Sequence, residues 1–383
     1  MSSESAVEPE GPAGTRGGTL GFRLGSVPVL MPWSTLVGIG IIAFLWLDSF
    51  QIDPSQPTQA LVLALVFAVL FYACILGHEL AHAWAARLAG FPVRSITLWA
   101  LGGYTSYERR EPSPGREALI AASGPISSVL IGVACNAAAS ATYYGDLRVY
   151  VVLHALGFSN VILGIYNALP GLPLDGGAVL KAVLWGVTRD ERRSTVVAAW
   201  AGRVVAVLVF LVPQYLVWRR GGAPDLGSIL IGLLISSYLY SGASQVLAQA
   251  RIAGRVPTLS ARELAVPAVA MAHDTPLSEA LRLREEAGAR SMVAIDSEGR
   301  PRGVSQESAL AAVPAERRPW VPLSSVCVNL DARAVLVGDL RGEDLINAML
   351  AIEAPQYLVI DPQGGWYGTL ARADVERVLA GHR

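Results

Sequence analysis

Six long apolar stretches constrain the fold of this 383-residue sequence more than any other feature. A helix needs about 20 mostly apolar residues to cross the hydrocarbon core of a bilayer. The stretches contain no acidic or basic residue except Arg203, and they cover residues 24–47, 54–77, 118–145, 149–174, 194–218 and 226–250. Residues 25–32 are too rich in turn formers for a helix, so the first helix is expected from about Trp33. The pattern predicts a polytopic α-helical membrane protein with six transmembrane helices.

Composition supports this class and excludes others. The chain is 52% hydrophobic and 16% charged, which is too apolar for an ordinary soluble protein of this length. Its net charge of -1 gives no basic surface, so nucleic acid is not expected as a partner. The three cysteines are widely spaced and form no CxxC pair, which argues against disulfides and cysteine metal sites. Residues 1–18 are predicted to be a disordered tail.

The distribution of Arg and Lys predicts the orientation in the membrane. Most of them lie in the connections after the second and fourth stretches, and positive residues are retained on the cytoplasmic side. Both termini are therefore expected in the cytoplasm, in a multi-pass protein of the cell membrane. Arg203, the lone charge inside a stretch, fits either snorkelling to the interface or lining a cavity. Residues 91–107, around a Gly-Gly pair, suit a short hairpin at the membrane surface.

The composition changes abruptly after residue 252. From there the chain is rich in charge and has no long apolar run, which predicts a membrane domain at 19–252 followed by a soluble α/β domain. The soluble part reads as two copies of one unit, at 256–316 and 317–383. Each copy has a helix, a strand, a turn with Asp and Gly, and a second helix.

The second apolar stretch ends in a pattern that can bind a metal. His78 and His82 are four residues apart, so both imidazoles share one helix face, and Glu79 lies one residue round as a general base for a water molecule. The alternative is an ordinary pair of helix histidines at a membrane boundary. The depth favours the metal, because the three residues lie about 15 Å inside the helix end, where ionisable groups are costly.

A catalytic zinc needs a third protein ligand and an open fourth position. Asp175 ends the fourth apolar stretch, directly after a segment that Pro170, Gly171 and Pro173 should unwind. Unwound backbone at that depth requires a cavity lined by protein, which suits a metal site. The alternative is a helix end with an exposed Asp and a Gly-Gly turn.

These motifs together resemble the site-2 protease family of intramembrane metalloproteases. The resemblance rests on His-Glu-Leu-Ala-His at 78–82, Ser-Gly-Pro at 123–125 and Asn-x-x-Pro-x-x-Pro-Leu-Asp-Gly-Gly at 167–177. It implies one Zn²⁺ per chain held by His78, His82 and Asp175, with Glu79 as catalytic base. It places Asn167 near the substrate or the developing oxyanion, although Asn167 could equally satisfy broken-helix backbone. The implied substrates are the transmembrane segments of single-span proteins, for example an anti-sigma factor.

The duplicated tail resembles a CBS domain pair, a cytoplasmic module that binds adenosine nucleotides in many proteins. The family's Gly-x-x-Thr-x-x-Asp pattern appears at 368–374 with Asp374 kept and Ala371 in place of Thr. The resemblance implies Asp374 as a ribose ligand for an adenine nucleotide, regulation of the membrane domain, and a homodimer through the pair. Asp374 could instead be an ordinary residue of a helix N-terminus. An alternative function for the whole chain is a CBS-gated membrane ion transporter.

Overall fold

The computed structural model describes residues 19–331, 333–363 and 365–381. The predicted tail at residues 1–18 lies outside the described residues. The chain divides into two compact units, Met1–Leu247 and Ala248–Arg383. The division falls inside the last long helix, a few residues before the boundary predicted at residue 252.

The described part of the first unit contains a small sheet and seven helices. In chain order the elements are β1 (Thr19–Leu24), β2 (Val27–Pro32), α1 (Ser34–Trp46), α2 (Pro57–Leu88), β3 (Val93–Trp99), β4 (Gly102–Tyr107), α3 (Pro114–Thr142), α4 (Leu147–Asn167), α5 (Asp175–Thr188), α6 (Glu191–Arg219) and α7 (Leu226–Ala253). Helix α7 extends past residue 247 into the second unit.

Five helices of the described chain are long and apolar enough to cross a membrane, namely α2, α3, α4, α6 and α7. The first predicted span is represented by α1, which has 13 residues. At 1.5 Å per residue α1 measures about 20 Å, less than the hydrocarbon core of about 30 Å. The prediction of six transmembrane helices is therefore confirmed for five, because the first helix begins next to its predicted start but already ends at Trp46.

The four strands form one sheet in the order β1-β2-β3-β4. The hairpin predicted at 91–107 is confirmed by the antiparallel pairing of β3 with β4. A second hairpin, β1 with β2, turns at Gly25, whose φ of 62° suits glycine, and β2 pairs in parallel with β3. Strand β4 lies at the edge of the sheet, next to α2.

The turn of the β3–β4 hairpin is held by side chains from α1 and α2. Thr35 Oγ1 donates a hydrogen bond of 2.8 Å to the carbonyl oxygen of Leu98. Tyr72 Oη lies 3.0 Å from the carbonyl oxygen of Ala100, which satisfies a group that would otherwise be exposed in an apolar setting. Gly38 allows this contact, since a Cβ there would lie 2.6 Å from the same oxygen. The sheet is thereby fixed against the helices.

The second unit contains a seven-stranded sheet in the order β8-β7-β6-β5-β11-β10-β9. Its strands and helices are α8 (Ala261–Leu264), β5 (Val266–Ala272), α9 (Leu277–Glu286), β6 (Ser291–Ile295), β7 (Pro301–Ser305), α10 (Glu307–Ala311), β8 (Cys327–Asn329), β9 (Val335–Val337), α11 (Gly342–Ala351), β10 (Gln356–Ile360), β11 (Trp366–Ala371) and α12 (Arg372–Ala380). The predicted duplication is present: β5-α9-β6-β7-α10 repeats as β9-α11-β10-β11-α12, and in each copy the first two strands are parallel and the next pair antiparallel.

The close packing of the β3–β4 turn on α1 gives a stability prediction. Gly38→Ala places a methyl group against Ala100 and Tyr72, and overpacking of this kind costs about 1–3 kcal/mol of unfolding free energy. Gly40→Ala is the matched control, because no atom lies within 4 Å of a Cβ there. We expect thermal unfolding of the detergent-purified chain to show a lower midpoint for Gly38→Ala alone. Equal unfolding midpoints for the two variants would contradict the described packing of Gly38 on Ala100 and Tyr72.

Candidate metal centre

Helix α2 carries the two histidines and the glutamate of the first motif. The helix runs for 32 residues without a break, so His78 and His82 lie one turn apart on the same face. The side chains face the interior of the unit, and His78, Glu79 and His82 are 6%, 5% and 8% exposed. Three buried ionisable residues in an apolar helix require partners nearby.

The partner of the histidines is Asp175, brought in by a different part of the chain. Helix α4 ends before Pro170 and Pro173, neither of which can continue a helix, and a short segment leads to Asp175 as the first residue of α5. Asp175 Oδ2 lies 3.1 Å from His78 Nε2 and 3.3 Å from His82 Nε2. The structure thus brings together the three residues that the sequence predicts as metal ligands.

The spacing of the three donor atoms suits a tetrahedral metal ion. The two Nε2 atoms of His78 and His82 are 3.1 Å apart, close to both distances to Asp175. Zinc bonds to nitrogen and oxygen of about 2.0–2.2 Å place neighbouring tetrahedral ligands about 3.3 Å apart. When all three atoms present lone pairs, a cation between them offsets their mutual repulsion. Two imidazoles and a carboxylate are also a donor set that zinc accepts.

The other nitrogen of each imidazole is held by α3. His82 Nδ1 lies 2.8 Å from the carbonyl oxygen of Ile120, which can only accept, so Nδ1 carries the proton and Nε2 keeps its lone pair. His78 Nδ1 lies 2.8 Å from Ser128 Oγ. Such supports fix the ring orientation of metal-binding histidines. The Ser-Gly-Pro motif at 123–125 points to this helix, but sequence reasoning named neither Ile120 nor Ser128.

Gly124 of α3 closes one side of the site. A Cβ at this position would lie 2.6 Å from His78 Nε2 and would also collide with His82. Any side chain at residue 124 would therefore displace the imidazoles. The position explains why a glycine lies in the middle of an otherwise regular helix.

Strand β4 holds Glu79. Thr105 Oγ1 lies 2.7 Å from Glu79 Oε2 and 3.0 Å from the backbone oxygen of the same residue. Gly103, on the same face of β4, permits the approach, because a Cβ there would lie 2.7 Å from Glu79 Cγ. The sheet edge therefore orients the carboxylate beside the two histidines. Sequence reasoning missed Thr105, for which the predicted hairpin was the single available signal.

The two remaining predicted site residues, Asn167 and Asp374, make other contacts. Asn167 is the last residue of α4, and its Nδ2 donates a hydrogen bond of 3.0 Å to the carbonyl oxygen of Leu163 in the same helix. Asp374 lies in the first turn of α12 in the second unit, with Oδ1 3.1 Å from Arg377 Nη2. Both contacts fit the alternative interpretations, in which Asn167 satisfies backbone groups and Asp374 is an ordinary residue of a helix N-terminus. The predicted roles of Asn167 with substrate and of Asp374 with a nucleotide stay predictions.

The glycine at 124 gives a test of the metal site. We expect Gly124→Ala to lower zinc affinity by about 10- to 100-fold, the range seen when supports of metal ligands are disturbed. Gly115→Ala in the same helix is the control, since nothing lies within 4 Å of its Cβ. Zinc content after dialysis against buffered zinc is the measurement. Equal zinc content in the two variants would contradict the described contact.

Comparison with known proteins finds a family whose model matches the part of the chain that carries this geometry. A model of peptidase family M50 matches residues 66–145 and 145–212. A putative zinc metalloprotease of Synechocystis is 25% identical over 339 residues, 83% of this chain and 83% of that protein. The putative zinc metalloprotease Rip3 of Mycobacterium tuberculosis is 36% identical over 198 residues, 49% of this chain and about half of that protein.

Solved structures match as well. A site-2 protease from Methanocaldococcus jannaschii is 24% identical, with a TM-score of 0.43, over 60% of this chain and 94% of that chain. Several CBS domains match up to 40% of this chain, each at 18% identity or below and with a TM-score of 0.27 or below. These likenesses concern the second unit, whose duplicated α/β topology is described above.

The matched residues 66–212 include every predicted metal ligand and the glutamate beside them. The named relatives are zinc metalloproteases, in keeping with the donor set found here. Residues 66–212 of the chain thus match peptidase family M50, the site-2 protease family, and the chain is similar to zinc metalloproteases over this region.

Proposed function

We propose that this protein is an intramembrane zinc metalloendopeptidase that cleaves the transmembrane segments of single-span proteins. The observation that carries the proposal is the group of His78, His82 and Asp175, whose donor atoms converge beside Glu79. Two of these residues and the glutamate lie in a helix long enough to cross a bilayer, so the reaction would occur at membrane depth. The transporter alternative gains no support from the family match.

The chain's own residues divide the chemistry between them. His78, His82 and Asp175 would hold the ion, and zinc would supply Lewis-acid polarisation and a water of lowered pKa. Glu79 would take a proton from the attacking water and return it to the nitrogen of the leaving amine. Thr105 would keep the Glu79 carboxylate in place during both transfers, since its hydroxyl bonds one carboxylate oxygen and leaves the other free.

The substrate must be unwound, because the amides of a helix are hydrogen-bonded to one another. Strand β4 offers an edge for this purpose: in the described chain it pairs with β3 alone. An extended peptide can add to such an edge through main-chain hydrogen bonds. Gly103 and Thr105 of β4 contact Glu79, so a strand added there would lie beside the proposed base.

The unwound segment 170–174 is a second element that could hold an extended substrate. Two of its five residues are prolines, so it has three N–H groups. These belong to Gly171, Leu172 and Leu174 and donate to the carbonyl oxygens of Leu169, Ala198 and Gly171, at 2.8, 3.0 and 3.0 Å. All three donors are used within the chain, which favours β4 as the substrate-binding element.

We also propose that the face of the membrane domain at which α6 begins is cytoplasmic, together with both termini and the CBS-like domain. A cluster of charges marks this face. Arg109 donates to Glu117 at 2.7 Å and to Glu191 at 2.8 Å, and Lys181 reaches the same Glu191 oxygen at 2.8 Å. The excess of Arg in these connections supports the assignment. Protease protection of a C-terminal tag in sealed vesicles is the test.

The nucleotide, regulation and the homodimer are proposed from the CBS resemblance alone, and the substrate from the site-2 protease resemblance. An adenine nucleotide bound near Asp374, a homodimer through the CBS-like domain and a membrane-tethered regulator such as an anti-sigma factor as substrate fit that proposal. ATP binding to the purified chain, and its mass in detergent, test the first two. A monomer without nucleotide affinity would remove both.

Zinc content and cleavage together test the main proposal. We expect Glu79→Gln to keep its zinc but to lower cleavage of a single-span reporter by about 10²- to 10⁴-fold, the contribution of a general base. Asp175→Ala should lose both zinc and cleavage, because it removes a ligand. Equal zinc in both variants and the parent, without cleavage in any of them, would remove Asp175 as a ligand and leave the protease activity unsupported.

The contact from β4 gives a second test of the catalytic arrangement. Thr105→Val keeps the shape of the side chain but removes the hydroxyl that bonds Glu79. A hydrogen bond to a charged group contributes about 1.5–3 kcal/mol, so cleavage should fall by about tenfold or more with zinc unchanged. Thr105→Ser should restore most of the activity. A valine variant as active as the parent would show that the strand does not position Glu79.

A further inference from the structure

Arg203 lies in the middle of α6, where its guanidinium contacts three side chains. Its Nε and Nη2 donate to Ser244 Oγ at 3.2 and 3.0 Å. The guanidinium carbon lies 4.7 Å from the ring centre of Trp200 and 5.0 Å from that of Tyr240. We propose that this group, the Arg203 cage, binds the phosphate of an anionic phospholipid between α6 and α7.

The charge of Arg203 is not neutralised within the described chain. No carboxylate of the described residues lies within 4.0 Å of it. Ser244 donates its own hydrogen to the carbonyl oxygen of Tyr240 at 2.6 Å, so its oxygen faces the guanidinium as an acceptor. Arginine has five N–H groups, and three of them remain for an external anion. A cation in an apolar helix with free donors favours an anionic ligand.

The cage lies at a depth that a lipid phosphate can reach. Helix α6 begins with charged residues up to Arg193 and becomes apolar from Val196. The guanidinium of Arg203 stacks on Trp200, one turn nearer to the start of the helix. At 1.5 Å per residue it therefore lies about 6 Å inside the apolar part, which is within reach of headgroups. Trp and Tyr are also typical of this level of a membrane protein.

The same surface is open to lipid. Trp200 and Tyr240 are 51% and 46% exposed. In the most apolar stretch of α7 only 11% of the residues are buried, compared with 28–33% in the corresponding stretches of the other candidate spans. The side of the cage away from Ser244 therefore faces the bilayer. A guanidinium binds phosphate oxygens through paired N–H groups, a geometry that a lysine ammonium does not reproduce.

A lipid in the cage would act on the part of the chain that carries Asp175. Gly202, next to Arg203, packs closely on Leu172, where no side chain would fit. Gly242 of α7 packs on Pro173, since a Cβ there would lie 2.8 Å from Pro173 Cγ. Both helices of the cage thus contact the segment before Asp175. A phosphate that bridges α6 and α7 would hold this segment in place.

Native mass spectrometry of the detergent-purified full chain tests the proposal without reference to cleavage. The parent chain should retain one phosphatidylglycerol in preference to phosphatidylcholine. Arg203→Gln should lower that retention by about tenfold or more, the effect of losing charge-assisted hydrogen bonds. Arg203→Lys should retain an intermediate amount, because it keeps the charge and loses the paired donors. Arg193→Gln, which removes an exposed arginine paired with Asp190, is the control and should bind like the parent.

Three results would overturn the proposal. Equal retention of phosphatidylglycerol by the parent and by Arg203→Gln would exclude the cage as the site. An equal loss of phosphatidylglycerol retention in Arg193→Gln would show that the overall charge of the protein, and not the Arg203 cage, determines the retention. Displacement of the lipid by inorganic phosphate alone, with the same dependence on Arg203, would identify a free anion as the ligand. The zinc content of each variant confirms that it is folded, and Arg203→Lys provides the comparison if the glutamine variant fails to fold.

Discussion

Three electron-rich atoms lie 3.1–3.3 Å apart inside an apolar domain, and the rest of the membrane unit depends on keeping them there. Burying two imidazoles and a carboxylate together is costly unless each has partners, so other parts of the fold must hold them in this arrangement. Helix α2 supplies the two imidazoles at a fixed spacing of one turn. Helix α3 fixes the ring orientations through Ile120 and Ser128 and leaves space for the rings at Gly124.

Among the described residues, strand β4 leaves one edge of the sheet unpaired inside the membrane domain. An open sheet edge is tolerated at membrane depth only where protein or a water-filled cavity covers it. The turn of the β3–β4 hairpin is satisfied by Thr35 and Tyr72, whereas the outer edge of β4 has no strand partner in the described chain. That unpaired edge also carries Thr105 and Gly103, which contact Glu79. An edge left unpaired beside the proposed base is consistent with use by an extended substrate.

The chemistry of the site is readable from sequence because it depends on local spacing. The four-residue spacing of His78 and His82 places them on one helix face. The prolines before Asp175 predict a helix break at the same membrane depth. Sequence reasoning could not find Thr105, Ile120 or Ser128. Each of them contacts the site only because distant parts of the chain pack together. The six-span prediction exceeds the structure by one because the first helix, expected from about Trp33, begins at Ser34 but ends at Trp46 and is too short to cross the membrane.

The three proposed metal ligands are held by two different parts of the unit. His78 and His82 belong to α2, which packs on α3 and on the sheet. Asp175 instead depends on a segment that rests on Gly202 of α6 and Gly242 of α7. A shift of α6 or α7 would therefore move one ligand and leave the other two in place. Helix α7 continues past residue 247, so its last residues belong to the second unit. The proposed lipid at Arg203 bridges α6 and α7, so membrane composition would act on the position of Asp175 through the same two glycine contacts.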